Sequence, residues 1–148
     1  MNKIQWAPPK IEKEEHDYAI KIIKSNWMTQ GKITELLEKK LCQKFNAKYA
    51  VVTNSGTSSL ICALLAHGIK PGDEVLVPSF TFVASVNSIL SVGAKPVLID
   101  SDPLTFNTDI SFLKEKISKK TRAIMPVDVS GMPVDIDEIK RFADKNNL

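Results

Sequence analysis

The sequence predicts an α/β fold in three layers, a mostly parallel sheet with helices on both faces. Three observations carry this. Short Val/Ile-rich runs recur at Tyr49–Thr53, Glu74–Val77, Pro96–Ile99 and Arg122–Met125. Between them lie segments whose apolar residues fall three and four apart, the spacing of one helix face. Gly or Pro marks most junctions, as at Gly68, Pro71-Gly72, Pro78, Gly93 and Pro126. Parallel strands need long crossovers, and strands covered on both faces read as unbroken apolar runs; both features are present.

The elements follow in order. After Pro8-Pro9, Ile11–Lys24 reads as a helix on the spacing of Tyr18, Ile22 and of Ala19, Ile23. Trp27-Met28-Thr29-Gln30-Gly31-Lys32 interrupts it. Ile33, Leu37, Leu41 and Phe45, flanked by Leu36, then form one stripe of a second helix. Tyr49–Thr53 reads as the first strand. Ser58–His67 is a third helix with apolar residues nearly all round (Leu60, Ile61, Ala63, Leu64, Leu65), which predicts deep burial. Pro71-Gly72-Asp73 is turn chemistry before the strand Glu74–Val77, which Pro78 closes. Thr81–Val92 reads as a helix ended by Gly93, and Pro96–Ile99 as a strand. Asp109 caps a helix to Ile117, Pro126 stops the strand Arg122–Met125, and Asp135 with Glu138 forms a capping-box pattern ahead of Ile136, Ile139 and Phe142.

Composition bounds the function. The chain has 148 residues, enough for about one domain with a single core. A formal net charge of +3, with basic residues dispersed and runs such as Lys39-Lys40 and Lys119-Lys120 short, argues against nucleic acid as a partner. Cys42 and Cys62 have no metal-ligand spacing and read as reduced thiols. Met1–Trp6 lacks the apolar core of a signal peptide, and no apolar run approaches the length of a membrane span, so the cytoplasm is the expected location. His16 falls on a charged helix face and His67 at a helix end, so neither reads as a catalytic group. Asp100, Asp102 and Asp109 surround Pro103 at a spacing that suits turns and caps better than a metal; no metal site is expected.

The segment Asn54-Ser55-Gly56-Thr57-Ser58-Ser59-Leu60 carries the most chemistry. A Gly followed by hydroxyl residues at a helix start leaves backbone N–H groups free beside Oγ atoms, at the positive end of the helix dipole, with no bulk in the way. That combination suits a phosphate. A capped helix with no ligand would show the same residues. The spacing is neither G-x-G-x-x-G nor the Gly-Lys-Ser/Thr of a P-loop, which argues against a dehydrogenase or a nucleoside triphosphatase.

Several segments together resemble the DegT/StrS-type sugar aminotransferases, pyridoxal-phosphate (PLP) enzymes of fold type I. They are Asn26–Gly31, Lys48–Val51, Asn54–Thr57, Gly68–Val75, Val77–Ser85 and Pro126–Gly131, in family order and at family spacing over essentially the whole chain. The resemblance implies that residues 1–148 are the N-terminal portion of the PLP-binding large domain, incomplete, with the C-terminal small domain absent. It implies pyridoxal 5′-phosphate as cofactor, with Gly56, Thr57 and Ser58 on its phosphate and Phe82 stacked on its ring. Thr29, Gly31 and Lys32 match a loop with substrate or partner-subunit contacts. Asp128 stands where many relatives carry His, and as a strand-end Asp it could equally cap a turn. The implied partners are a nucleotide-sugar substrate, an amino donor, and a second copy of the chain or a missing C-terminal half.

PLP chemistry also needs a Schiff-base Lys and an acidic partner for the pyridine nitrogen. The resemblance places both after Leu148, so no catalytic residue is expected within the chain. Three possibilities stay open at this point: the N-terminal part of an aminotransferase acting on a nucleotide-linked keto sugar and inactive alone; a non-catalytic or complementing PLP-binding half-protein; or a generic α/β phosphate-ligand domain. An incomplete sheet would also leave apolar surface and a strand edge open, so the isolated chain is expected to associate.

Overall fold

The computed structural model describes residues 9–148, so the absence of a signal peptide in Met1–Trp6 concerns residues outside those described. The chain divides into two compact units, one ending at Val52 and one spanning Thr53–Leu148.

In the first unit, helix α1 covers Lys13–Lys24 and helix α2 Lys32–Phe45. Helix α1 begins two residues later than Ile11 because Glu12 and Glu15 form a reciprocal capping box, the Glu12 N–H donating to Glu15 Oε2 at 2.9 Å. It ends where the Ser25 hydroxyl donates to the Ile22 carbonyl at 2.7 Å. Helix α2 closes on Asn46 in the left-handed conformation (φ 49°), a common substitute for Gly at this position. The strand expected at Tyr49–Thr53 is not formed. A strand exists only through its ladder, and among the described residues no neighbour pairs with this segment; the Val52 N–H donates instead to Glu38 Oε1 at 3.0 Å.

The second unit holds helix α3 (Gly56–Ala66), strand β1 (Glu74–Pro78), helix α4 (Ala84–Ser91), strand β2 (Lys95–Ile99), helix α5 (Ile110–Lys116), strand β3 (Thr121–Ile124) and helix α6 (Ile136–Asn146), with a short 3-10 turn at Val129–Gly131. The sheet order is β2-β1-β3, all parallel. All five residues of central β1 are buried. Val75 and Val77 join Leu64, Ile69, Ile89, Val92 and Ala94 in one apolar cluster. Leu76, between them, joins Ile99, Leu113, Val134 and Ile139 in another. The two-residue period of the strand thus feeds two cores, one under α3 and α4 and one under α5 and α6, and the three predicted layers are present.

Details follow from chemistry at the junctions. Pro96 cannot donate to a ladder and sits on edge strand β2. Between Glu74 and Val75 the β1–β3 register slips, leaving Arg122 as the extra residue on β3. Glu74 is buried at the amino end of β1; its carboxylate accepts from Ser118 Oγ at 2.6 Å and Lys95 Nζ at 3.0 Å, which ties the three strand starts together. Those two donors hold its pKa below the ordinary carboxylate value, Ser118 contributing most.

Two expectations need correction. Helix α3 is not buried all round: of its large apolar residues only Leu64 is buried, and Leu65 is 58% exposed. It packs on α4 along one side, and no other helix of this unit covers the opposite side. Helix α4 starts at Ala84 rather than Thr81, because the chain leaving β1 first crosses the sheet end, with the Ser79 N–H donating to the Ile99 carbonyl at 2.9 Å. Among the described residues no strand pairs with the outer side of β2 or of β3. A cleft of about 590 Å³ lies between β3, α6 and the Gly68–Asp73 turn, lined by Ile124, Pro126, Ile136 and Ala143 among others.

Candidate functional site

Topology brings the predicted phosphate residues to the functional end of the sheet. Helix α3 ends at Ala66 and a tight turn through Gly68 and Gly72 leads into the start of β1. An 11-residue helix spans about 16 Å and a five-residue strand about 17 Å, so running back along β1 leaves the start of α3 near the carboxyl end of that strand. The crossover helix after β1 covers one face, and those after β2 and β3 cover the other. In open parallel sheets, ligands sit at the carboxyl ends where the crossovers diverge in this way.

The turn is shaped by its hydroxyls. Ser55 is the N-cap of α3; its Oγ accepts from the Ser58 N–H at 3.2 Å and lies 3.0 Å from Ser58 Oγ. The Thr53 hydroxyl donates to the Ser55 carbonyl at 2.8 Å and lies 2.5 Å from Ser59 Oγ. With Ser58 and Ser59 served, the Gly56 and Thr57 N–H groups have no acceptor among the described residues. The Ser58 N–H is therefore not a free donor. Its hydroxyl can still give its proton outward while accepting from Ser55, since a hydroxyl has one donor and two lone pairs. A Cβ added at Gly56 would meet nothing within 4 Å, and no left-handed φ requires Gly there. Neither packing nor backbone conformation accounts for Gly56, and the space beside its amide is open. Two free amides, two hydroxyls, a dipole and an open cradle make a donor set that fits a phosphate monoester.

Phe82 lies on the segment that leaves β1, just before α4 and not on it, with its side chain 77% exposed. Its carbonyl accepts from the Ser85 N–H at 3.0 Å, and neighbouring Thr81 Oγ1 is 2.8 Å from Ser85 Oγ, so the backbone under the ring is fixed while the ring is free to stack. Connectivity brings this segment, which leaves the carboxyl end of β1, and the start of α3 to the same end of the sheet.

The remaining candidates differ. Asp128 performs the turn role: Oδ1 accepts from the Val134 N–H at 3.0 Å and its carbonyl from the Gly131 N–H at 3.2 Å. Asp102 Oδ1 accepts from the Leu104 and Thr105 N–H groups at 2.9 and 2.8 Å, which hold its carboxyl below the usual range, Thr105 first. Asp109 caps α5 through the Ser111 N–H at 2.7 Å. No group of three acidic, His or Cys residues able to hold a metal occurs among the described residues, and the cysteine thiols are free. In the first unit, Thr29 and Lys32 are exposed and Gly31 is half-buried beside Trp27, whose Nε1–H donates to the Gln30 carbonyl at 3.0 Å. These residues line a cleft of about 650 Å³ with Trp27, Met28 and Ile33.

Comparison with known proteins extends this geometry. Residues 9–148 match the description of the DegT/DnrJ/EryC1/StrS aminotransferase family. The chain belongs to that family. GDP-perosamine synthase of Caulobacter vibrioides is 42% identical over 147 residues, covering 99% of this chain and 40% of that protein. GDP-perosamine synthase of Escherichia coli O157:H7 is 38% identical over 149 residues, 100% of this chain and 41% of that protein. The chain therefore spans about two-fifths of the length of these curated relatives. Among solved structures, NtdA of Bacillus subtilis with bound cofactor PMP superimposes with a TM-score of 0.85 at 32% identity, covering 90% of this chain and 31% of that one. Pyridoxal phosphate is the cofactor these findings indicate. No helix among the described residues is long and apolar enough to cross a membrane.

Sequence reasoning missed Ser55 as the cap that consumes the Ser58 amide, although a Ser three residues before another amide at a helix start is the signal for it. It also missed Phe106 and Asn107, which lie on the loop after β2 and carry no local motif, and the pairing of Phe106 with Phe80.

Proposed function

We propose that this chain supplies the phosphate cup and ring-stacking residue of a PLP-dependent aminotransferase that moves an amino group from an amino donor, typically glutamate, to the keto group of a nucleotide-linked sugar. The observation that carries this is the pair of free amides at Gly56 and Thr57 in a Gly-Thr-Ser helix start, at the carboxyl end of the sheet of a family member. Gly56 and Thr57 would hold the phosphate through their N–H groups, with the Thr57 and Ser58 hydroxyls beside them. Phe82 would lie flat against the pyridine ring and fix its tilt. Bound there, the cofactor supplies the electron sink for amino transfer. Thr29, Gly31, Lys32 and Asp128 are assigned to the substrate side on family resemblance alone; Asp128, committed to its turn, would act through its second oxygen. The GDP-linked sugar in the relatives' names makes a GDP-linked keto sugar the first acceptor to try.

In this account the chain binds and orients, and the Schiff-base Lys comes from sequence beyond it. The working protein is a cytoplasmic homo-oligomer. The test compares residues 1–148 alone with the protein bearing any continuation encoded in the source genome, using glutamate, PLP and a GDP-linked keto sugar and following 2-oxoglutarate. Activity only in the longer, Lys-containing protein supports the proposal. Turnover by the 148-residue chain, or a continuation without such a Lys, contradicts it; the latter favours a non-catalytic PLP binder.

A further inference from the structure

The loop between β2 and α5 holds an aromatic residue in an unfavourable backbone conformation. Phe106 has φ 60°, in the left-handed region that bulky L-residues avoid. Its ring is 48% exposed, so burial does not explain the strain. Local hydrogen bonds enforce it. The Phe106 N–H donates to the Asp102 carbonyl at 2.8 Å, and the Asp102 N–H donates to the Asn107 carbonyl at 2.9 Å. The Asp102 carboxylate accepts from Leu104, Thr105 and the Thr105 hydroxyl. Asn107, buried, anchors the loop to the next one: Nδ2 donates to the Met132 carbonyl at 2.8 Å, and Oδ1 accepts from the Val129 N–H at 3.0 Å.

The strained residue pairs with a second aromatic ring. The Phe106 and Phe80 rings lie 5.1 Å apart, centroid to centroid, tilted by 32°. Phe80 sits on the segment that presents Phe82, two residues before it. At its start the segment is tied by the Ser79 amide to Ile99, and at its end by Thr81 and the Phe82 carbonyl to Ser85. The Phe80 ring, also half exposed, is its lateral anchor. An aromatic pair returns about as much as a left-handed aromatic costs, so the arrangement contributes little to stability. What it fixes is position.

We propose that Phe106 is a positioning residue for the cofactor ring, acting through Phe80 to set the segment from which Phe82 stacks. This rests on the PLP assignment above. Titrations of PLP into the protein, read by quenching of intrinsic fluorescence and by the induced circular dichroism of the cofactor, test it. Phe106→Gly removes the ring and relieves the backbone strain, so its melting temperature should hold or rise. Its PLP affinity should still fall about 3- to 10-fold, the range an aromatic pair is worth, with a weakened induced signal. Phe80→Leu breaks the pair from the other side without touching the strained backbone and should show the same loss; it decides the matter if Phe106→Gly does not fold. Phe106→Tyr keeps the ring and should bind as the wild type does. Phe82→Leu is the reference. If Phe82→Leu weakens PLP while Phe106→Gly, or Phe80→Leu in its place, binds as the wild type does, the positioning role is wrong and the cofactor site stands. If the wild type binds no PLP, or Phe82→Leu changes nothing, the cofactor assignment fails and this inference with it.

Discussion

Gly56→Ala should separate fold from function in opposite directions. At this position Gly serves neither packing nor a left-handed turn: its added Cβ meets nothing within 4 Å. Ala is the better helix former, and at a compatible site it also narrows the unfolded ensemble, a gain of about 0.4–1 kcal/mol. For the second unit, roughly 100 residues, that corresponds to a rise of about 2–8 °C in melting temperature. The ligand feels the same methyl differently. Every Cα–Cβ bond of a helix tilts toward its N-terminus, so the methyl leans into the space in front of the Gly56 and Thr57 amides. Displacing a phosphate from charge-assisted hydrogen bonds there should cost about 1.5–3 kcal/mol, a loss in PLP affinity of roughly 10- to 150-fold. Thermal melts without ligand and PLP titrations of the same preparations are the assay. The reasoning is refuted if Gly56→Ala melts below the wild type, or if it is as stable as expected and binds PLP equally well.

Three further outcomes are expected. Leu76→Ala, in the centre of β1 and fully buried, should lose about 2–5 kcal/mol in denaturant unfolding because the cavity opens between two rigid layers. The Glu74 carboxyl, held below its ordinary value of 4.5 by Ser118 and Lys95, contributes stability that is present above that value and lost as pH falls through its lower folded value; Glu74→Gln should flatten this acid limb in melts taken from pH 6 to 3. Gly31→Ala would place a Cβ 2.5 Å from Trp27 Nε1, although its backbone (φ 178°) suits any residue, so the ring must shift and its bond to the Gln30 carbonyl break. In a Trp6→Phe background this should change the Trp27 emission maximum, and an unchanged spectrum would contradict the contact.

Much of the second unit was legible because its signals are local. Asp109 and Asp135 cap the helices they were expected to cap, the latter through the Glu138 N–H at 2.9 Å, and the apolar runs of β1 to β3 stand where Pro and Gly bound them. The helix start with free amides at Gly56 and Thr57 was legible too, since a Gly followed by hydroxyls marks it within four residues, whereas the capture of the Ser58 amide by Ser55 was not read. What was not legible depends on partners. Tyr49–Thr53 has the composition of a strand, but a strand needs a neighbour, and composition does not say whether one is at hand. Helix α3 has the composition of a buried helix, yet of its residues only Leu64 is buried, on a helix that packs within its unit against α4. Phe82 reads as helical by spacing, but the chain needs Ser79–Val83 to leave the sheet before α4 can start. The Phe80–Phe106 pair joins residues 26 apart in sequence and no periodicity announces it.

The most direct measurement is a crystal structure of the protein grown with PLP. The account predicts the phosphate within hydrogen-bond distance of the Gly56 and Thr57 amides, with the pyridine ring over the face of Phe82. A phosphate bound away from the start of α3, or a ring that leaves Phe82 untouched, would contradict it.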